Sequence, residues 1–268
     1  MLVLTQMATG ALMMATLFAA LQPLDARVFP LLWAAAVAGT TGLAASVLHL
    51  GQPLKAWRIF LGWRRSWLSR EALVFGAFGS VMWAVAGWRA LSATAPEWPL
   101  VALAAGLGLV GVAASAMVYI DTRRPFWSPG LVAGKFAGTT LVLGAALAAA
   151  VSSWQGMGFA RPAAASALAG LLALAAWEGF SLSRAARDAS SPWHRSALLL
   201  QSTLSRQQRA RRALVAAACL SYALVLLLAP AVSAPLCSFA LAAATASQLI
   251  ERHQFFTACQ GPRMPGLA

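Results

Sequence analysis

The sequence predicts an all-α integral membrane protein, a bundle of eight transmembrane helices that occupies residues 1–268 as a single domain. Three observations predict it. The chain is 60% apolar and only 10% charged, with a mean hydropathy of +0.71, where a soluble domain lies nearer half apolar and a quarter charged. The apolar residues gather in eight runs, each close to the roughly 20 residues that a helix needs to cross hydrocarbon. The 20 lysines and arginines fall mainly on alternate connections between those runs, so the net charge of +13 reads as membrane topology and not as a nucleic-acid footprint. A water-soluble core and a disordered chain are both excluded.

The first run, 2–21, has no basic residue before it and no Arg-Arg pair, so it reads as a retained span and not a secretory leader. The second, 29–50, closes on His49-Leu50-Gly51-Gln52-Pro53, with Gly51 as a C-terminal cap and Pro53 stopping the helix. A basic, aromatic segment follows, with Lys55, Trp57, Arg58, Trp63, Arg64, Arg65 and Trp67. The third run, 68–90, opens on Ser69-Arg70-Glu71. The fourth and fifth, 98–120 and 130–152, flank a connection bearing Asp121, Pro125, Trp127 and Pro129. The sixth, 162–183, carries Glu178 about two turns from its end. The next connection, about 184–211, is the longest. There Ser191-Pro192 reads as an N-cap followed by proline at the first helical position. Leu198, Leu199, Leu200 and Leu204 beside Arg206, Arg209, Arg211 and Arg212 suggest a helix lying on anionic lipid, or a docking surface for an acidic partner. The runs 211–230 and 233–250 divide at Pro230 and Pro235, although one kinked helix is the competing reading. No internal repeat is legible, and the Ala/Gly/Ser content argues for close helix packing.

Eight crossings bring both termini to one side. That side takes 17 of the basic residues, Lys135, Arg211 and Arg252 among them, and the other takes Arg27, Arg89 and Arg161. The positive-inside rule then places the termini and long connections in the cytoplasm, and the membrane interior reads as nearly free of ionisable groups. Cys219, Cys237 and Cys259 make no CxxC, so no disulfide framework and no iron–sulfur cluster is expected in the chain. His49, His194 and His253 all lie toward one side, which excludes a two-haem wire; a single haem between His49 and His253 stays open. No metal site is expected.

His49 and Glu71 stand at two facing helix ends. A polar cap and a carboxylate complementing a helix dipole are the plain readings. The functional reading is a quinone pocket: an apolar, aromatic slot with proton-exchanging groups at its mouth. Histidine titrates near neutrality and suits that task.

The string His49-Leu50-Gly51-Gln52-Pro53-Leu54-Lys55-Ala56, followed by Ser66-Trp67-Leu68-Ser69-Arg70-Glu71, resembles the membrane anchor subunit of dimethyl sulfoxide reductase-type molybdoenzymes (DmsC-type). The resemblance continues through eight spans, the aromatic and proline residues after the fourth, and Glu251-Arg252 with Phe255-Phe256 near the end. It implies a non-catalytic anchor or quinone-reactive subunit of an oxidoreductase complex in the inner (plasma) membrane. Its partners would be the lipid bilayer, a ferredoxin-like iron–sulfur subunit and a molybdopterin catalytic subunit, with no nucleic acid. Quinone or menaquinol would be its exchangeable substrate in anaerobic respiratory electron transport, without haem. The quinone-site residues implied are His49, Gly51, Lys55 and Glu71, Lys55 standing where an arginine is expected and lacking its bidentate fork. Arg58, Arg64, Arg65, Arg206 and Arg209 would dock the partner. Glu178 is a candidate proton route, with pairing to Arg184 as the alternative.

Reductases of this kind usually place their catalytic domain outside the cytoplasm, whereas the basic count puts the motif inside. Inward-facing, quinone-reducing relatives such as membrane sulfite dehydrogenases fit that orientation. A passive anchor with a decayed quinone site is a further reading. From a different class, a small-solute transporter would require ionisable groups near the midplane in related halves.

Overall fold

The computed structural model describes residues 1–21, 26–48, 53–92, 94 and 96–259, and among them every regular element is helical. The long helices are α1 (Leu2–Leu21), α2 (Phe29–Leu48), α3 (Trp67–Leu91), α4 (Trp98–Ile120), α5 (Pro129–Trp154), α6 (Ala160–Arg187), α8 (Ser205–Leu227) and α9 (Ser233–Thr257). All eight are long and apolar enough to cross a membrane. The short α7 (His194–Gln201) connects α6 to α8, and 3-10 turns cover Ala26–Val28, Pro53–Gly62, Pro125–Trp127 and Pro230–Val232. The protein is a multi-pass membrane bundle.

Local chemistry sets the boundaries. Pro99 and Pro129 occupy the first turns of α4 and α5, where a missing N–H costs no hydrogen bond. Beyond Trp154 the chain turns through Gly156 at φ +61°, a backbone region that suits glycine. The Pro230–Val232 turn separates α8 from α9, which decides for two helices over one kinked helix. Two expectations need correction. The seventh span begins at Ser205, not 211, because Arg206, Arg209, Arg211 and Arg212 are good helix formers that start the helix ahead of the apolar run. The short helix starts at His194 with Trp193 as its N-cap; Ser191 instead accepts the Trp193 N–H at 3.3 Å, so Pro192 lies ahead of the helix.

Packing divides the spans into two quartets. In the first, α1, α2, α3 and α4 pack in sequence and α4 returns against α1; in the second, α5, α6, α8 and α9 make the same ring. The quartets meet through α1 and α5, whose spans are 67% and 72% buried against 28–50% for the others. Small residues make this seam possible. A Cβ placed on Gly144 would lie 2.1 Å from the Gly10 carbonyl carbon, and one on Gly10 would lie 2.0 Å from the Thr140 carbonyl oxygen. Backbones this close replace side-chain interdigitation with direct van der Waals contact, the usual means of helix association in lipid. Outward-facing Leu17, Val37, Leu103, Leu172, Phe180 and Phe239 are exposed, as suits a surface solvated by acyl chains.

The interior differs from expectation. Lys135, Arg211 and Arg252, expected as loop charges, are buried at 5–6% exposure. They lie in the terminal turns of α5, α8 and α9; carboxylates on neighbouring helices meet Lys135 and Arg211, and Glu251 of its own helix lies beside Arg252.

Candidate functional site

Among the described residues the buried ionisable groups gather at one end of the bundle, where α3, α5 and α8 begin and α4, α6 and α9 finish. In the first quartet the group is Glu71. The N–H groups of Arg65 and Ser66 both bond the Gly62 carbonyl at 2.9 Å, turning the chain into α3. Arg70 secures that turn by donating to the carbonyls of Trp63 (3.0 Å) and Arg64 (2.9 Å) and stacking over Trp67. Glu71 follows on the inner face, 5% exposed. Its Oε1 accepts the hydroxyl of Ser115 on α4, itself buried. Among the described residues no basic side chain reaches Glu71 within ion-pair distance. The contact to α4 gives this carboxyl a role beyond complementing its own helix dipole.

One helical turn beyond Ser115, Tyr119 packs against Trp127, Phe136, Phe255 and Phe256 with ring centroids 5.2–5.8 Å apart. This aromatic cluster joins α4, the Pro125–Trp127 turn, α5 and α9. The Trp127 indole N–H donates to the Phe255 carbonyl at 3.1 Å, which fixes the orientation of the ring.

The remaining sequence-predicted residues disperse. His49 and Gly51 lie outside the described residues. Lys55 is exposed on the Pro53–Gly62 turn, as are Arg58, Arg64 and Arg65 close to it in the chain. Arg58 lies over Trp57 and Arg64 over Trp63, at 5.8 and 5.2 Å from the ring centroids. Arg206 and Arg209 are exposed at the start of α8.

Glu178 belongs to the second quartet, in a network that sequence reading missed. Lys135 donates to Glu178 Oε1 at 2.9 Å and to Glu251 Oε1 at 2.5 Å. Arg211 bonds the second oxygen of Glu178. Arg252 lies 3.8 Å from Glu251 Oε2, donates to Gln6 of α1 at 3.2 Å, and stacks over Phe136 at 4.4 Å. The expected alternative partner, Arg184, is exposed and outside this group. The available signal was position: Lys135 falls inside the apolar run 130–152, where an unpaired ammonium is costly, so it needed a carboxylate on a facing helix.

A cavity of about 790 Å³ opens at the same end, between the close of α4, the start of α5 and the segment before α7. Met117, Ile120, Trp127 and Trp193 form much of its wall, with Arg123 and Arg124 beside them. Trp193 is positioned by donating to the Pro125 carbonyl at 2.9 Å. Nearby, Asp188 accepts both the backbone N–H and the hydroxyl of Ser190, and these bonds hold its carboxyl below the usual range. His194 faces the Ala185 carbonyl at 3.0 Å.

Comparison with known proteins gives two findings. The sequence model of the DMSO reductase anchor subunit (DmsC) family matches residues 1–257, nearly the whole chain. A sulfite dehydrogenase subunit from Allochromatium vinosum is 35% identical over 43% of this chain, and the match spans 39% of that relative's own length.

Proposed function

The chain belongs to the DMSO reductase anchor subunit family, and from that premise we propose that it anchors a molybdoenzyme and exchanges electrons with quinone. Its partners in this reading are a ferredoxin-like iron–sulfur subunit and a molybdopterin catalytic subunit. It sits in the inner membrane with both termini in the cytoplasm, as the basic end of the bundle favours.

The observation that carries the quinone reading is Glu71: a buried carboxyl, held by a serine hydroxyl and no described cation, beneath an exposed basic and aromatic turn. Such a group changes protonation without breaking an ion pair. Quinol docks where α2 ends and α3 begins, within reach of Glu71, and His49, which the sequence motif supplies, serves as the second proton acceptor. It gives up two protons and two electrons to become quinone; the protons pass to these side chains and the electrons, one at a time, to the docked iron–sulfur subunit. Running in reverse, the same groups protonate reduced quinone. Ser115 orients the carboxyl, while Arg58, Arg64, Arg65, Arg206 and Arg209 attract an acidic partner and orient its approach. Glu178 is better read as holding helices together than as a proton route, since two cations occupy its oxygens.

The match to a sulfite dehydrogenase subunit and the basic end of the bundle favour one refinement, electron flow toward quinone with the partners on the cytoplasmic side. A transporter is less well supported. The second quartet's buried charges lie roughly 8–14 Å from the helix ends at 1.5 Å per residue, short of the midplane, and they pair with one another.

Replacing Glu71 with Gln tests the reading. Gln keeps the size and the Ser115 contact but cannot take up a proton. Quinone-coupled turnover in membranes should fall about a hundredfold while the complex still assembles; an unchanged rate would sink the proposal.

A further inference from the structure

The cavity between α4, α5 and the segment before α7 shares no lining residue with the Glu71 site or the ion network. We propose that it binds the headgroup of an anionic phospholipid, with the phosphate between Arg123 and Arg124 and an acyl chain along the apolar wall. Its position argues for a lipid. Met117 and Ile120 belong to the last turns of the α4 span, while Arg123 and Arg124 stand just beyond it, so the cavity straddles the depth at which headgroups meet hydrocarbon. Trp127 and Trp193 supply the amphipathic rings that favour this level.

Charge argues for an anion. Asp121 is the one acidic residue of the lining, against two arginines, and neither arginine has a carboxylate partner among the described residues. Arg124 stacks over Trp127 at 5.0 Å and donates from one nitrogen to the Cys259 thiol at 4.0 Å, which leaves its other guanidinium donors available. The Ser128 hydroxyl, also in the lining, has no hydrogen-bond partner among the described residues. It precedes α5, whose first turn adds partial positive charge. Arg123 itself holds a left-handed backbone at φ 55°, a conformation that side chains other than glycine adopt at a cost and that concentrates at ligand sites.

The test is native mass spectrometry of the detergent-released complex, titrated with phosphatidylglycerol or phosphatidylcholine. One phosphatidylglycerol should remain bound in preference to phosphatidylcholine. The Arg123→Gln/Arg124→Gln variant should bind it about thirtyfold more weakly, at roughly tenfold or less for each arginine near the surface. Ser128→Asp should weaken it likewise; aspartate is a good N-cap, so this variant folds even where the double variant does not. Arg184→Gln/Arg187→Gln, which removes equal charge from exposed positions at the same end, should leave binding unchanged. Equal loss in that control would mean general attraction and overturn the site. Equal binding of phosphatidylcholine, displacement by millimolar inorganic phosphate, or binding only after the partner subunits are stripped would also overturn it, the last by making the cavity a protein-docking surface.

Discussion

The two quartets place polar groups at matching depth and treat them in opposite ways. In the first, Glu71 is the fifth residue of α3 and Ser115 the sixth from the end of α4; a carboxyl without a cation among the described residues meets a neutral hydroxyl. In the second, Arg211 is the seventh residue of α8 and Glu251 the seventh from the end of α9. There three cations and two carboxylates tie α5, α6, α8 and α9 together. Buried ion pairs add little net stability over well-packed apolar groups, yet breaking one leaves an uncompensated charge in low dielectric. The second quartet is therefore electrostatically locked. The first keeps Glu71 without an ion partner among the described residues, as the quinone chemistry proposed for that end requires.

The difference can be broken from either side, most severely through Lys135. Lys135→Met leaves Glu178 and Glu251 without their shared cation, and should destabilise the chain by about 3–5 kcal/mol. Thermal unfolding of the purified protein would read this as a large fall in midpoint, and a change below 1 kcal/mol would mean that the lock is not one. Gly144→Leu attacks the seam between the quartets. With Gly10 backbone 2.1 Å from the added Cβ, α1 and α5 must separate, at a cost of about 3 kcal/mol; recovery of folded protein in detergent measures it.

The first quartet should respond in the opposite manner. Glu71→Gln lowers turnover about a hundredfold and leaves the unfolding midpoint nearly unchanged, the inverse of Lys135→Met. Ser115→Ala removes one hydrogen bond, worth about 1 kcal/mol, and should slow turnover about fivefold. The smallest effect belongs to the exposed turn: Arg58→Gln, Arg64→Gln and Arg65→Gln together should change stability by under about 0.5 kcal/mol each. They should instead weaken partner association in a salt-dependent way, seen by titrating ionic strength in a reconstitution assay.

The spans were legible because lipid imposes a single strong constraint, about 20 apolar residues with an internally bonded backbone. The place of Glu71 in the opening turns of α3 was legible because Ser69-Arg70-Glu71 follows a basic, aromatic segment and begins an apolar run. The lock was not, because its members come from four helices far apart in the chain, and pairing across such distances leaves no local pattern. Lys135, Arg211 and Arg252 each lie close enough to a helix end to pass for interfacial charge; only three-dimensional packing distinguishes a side chain that turns inward. The two-quartet architecture was hidden for a related reason, since its equivalence lies in packing order while the residues at matching positions differ.

The most direct test is photolabelling of the assembled complex with an azidoquinone, followed by mass-spectrometric mapping of the adducts. Adducts on residues 49–71 or on α4 between Ser115 and Tyr119, suppressed by excess natural quinone, are the predicted result. Adducts confined to the second quartet or to the Arg123–Trp193 cavity, with the first quartet unlabelled, would contradict the account.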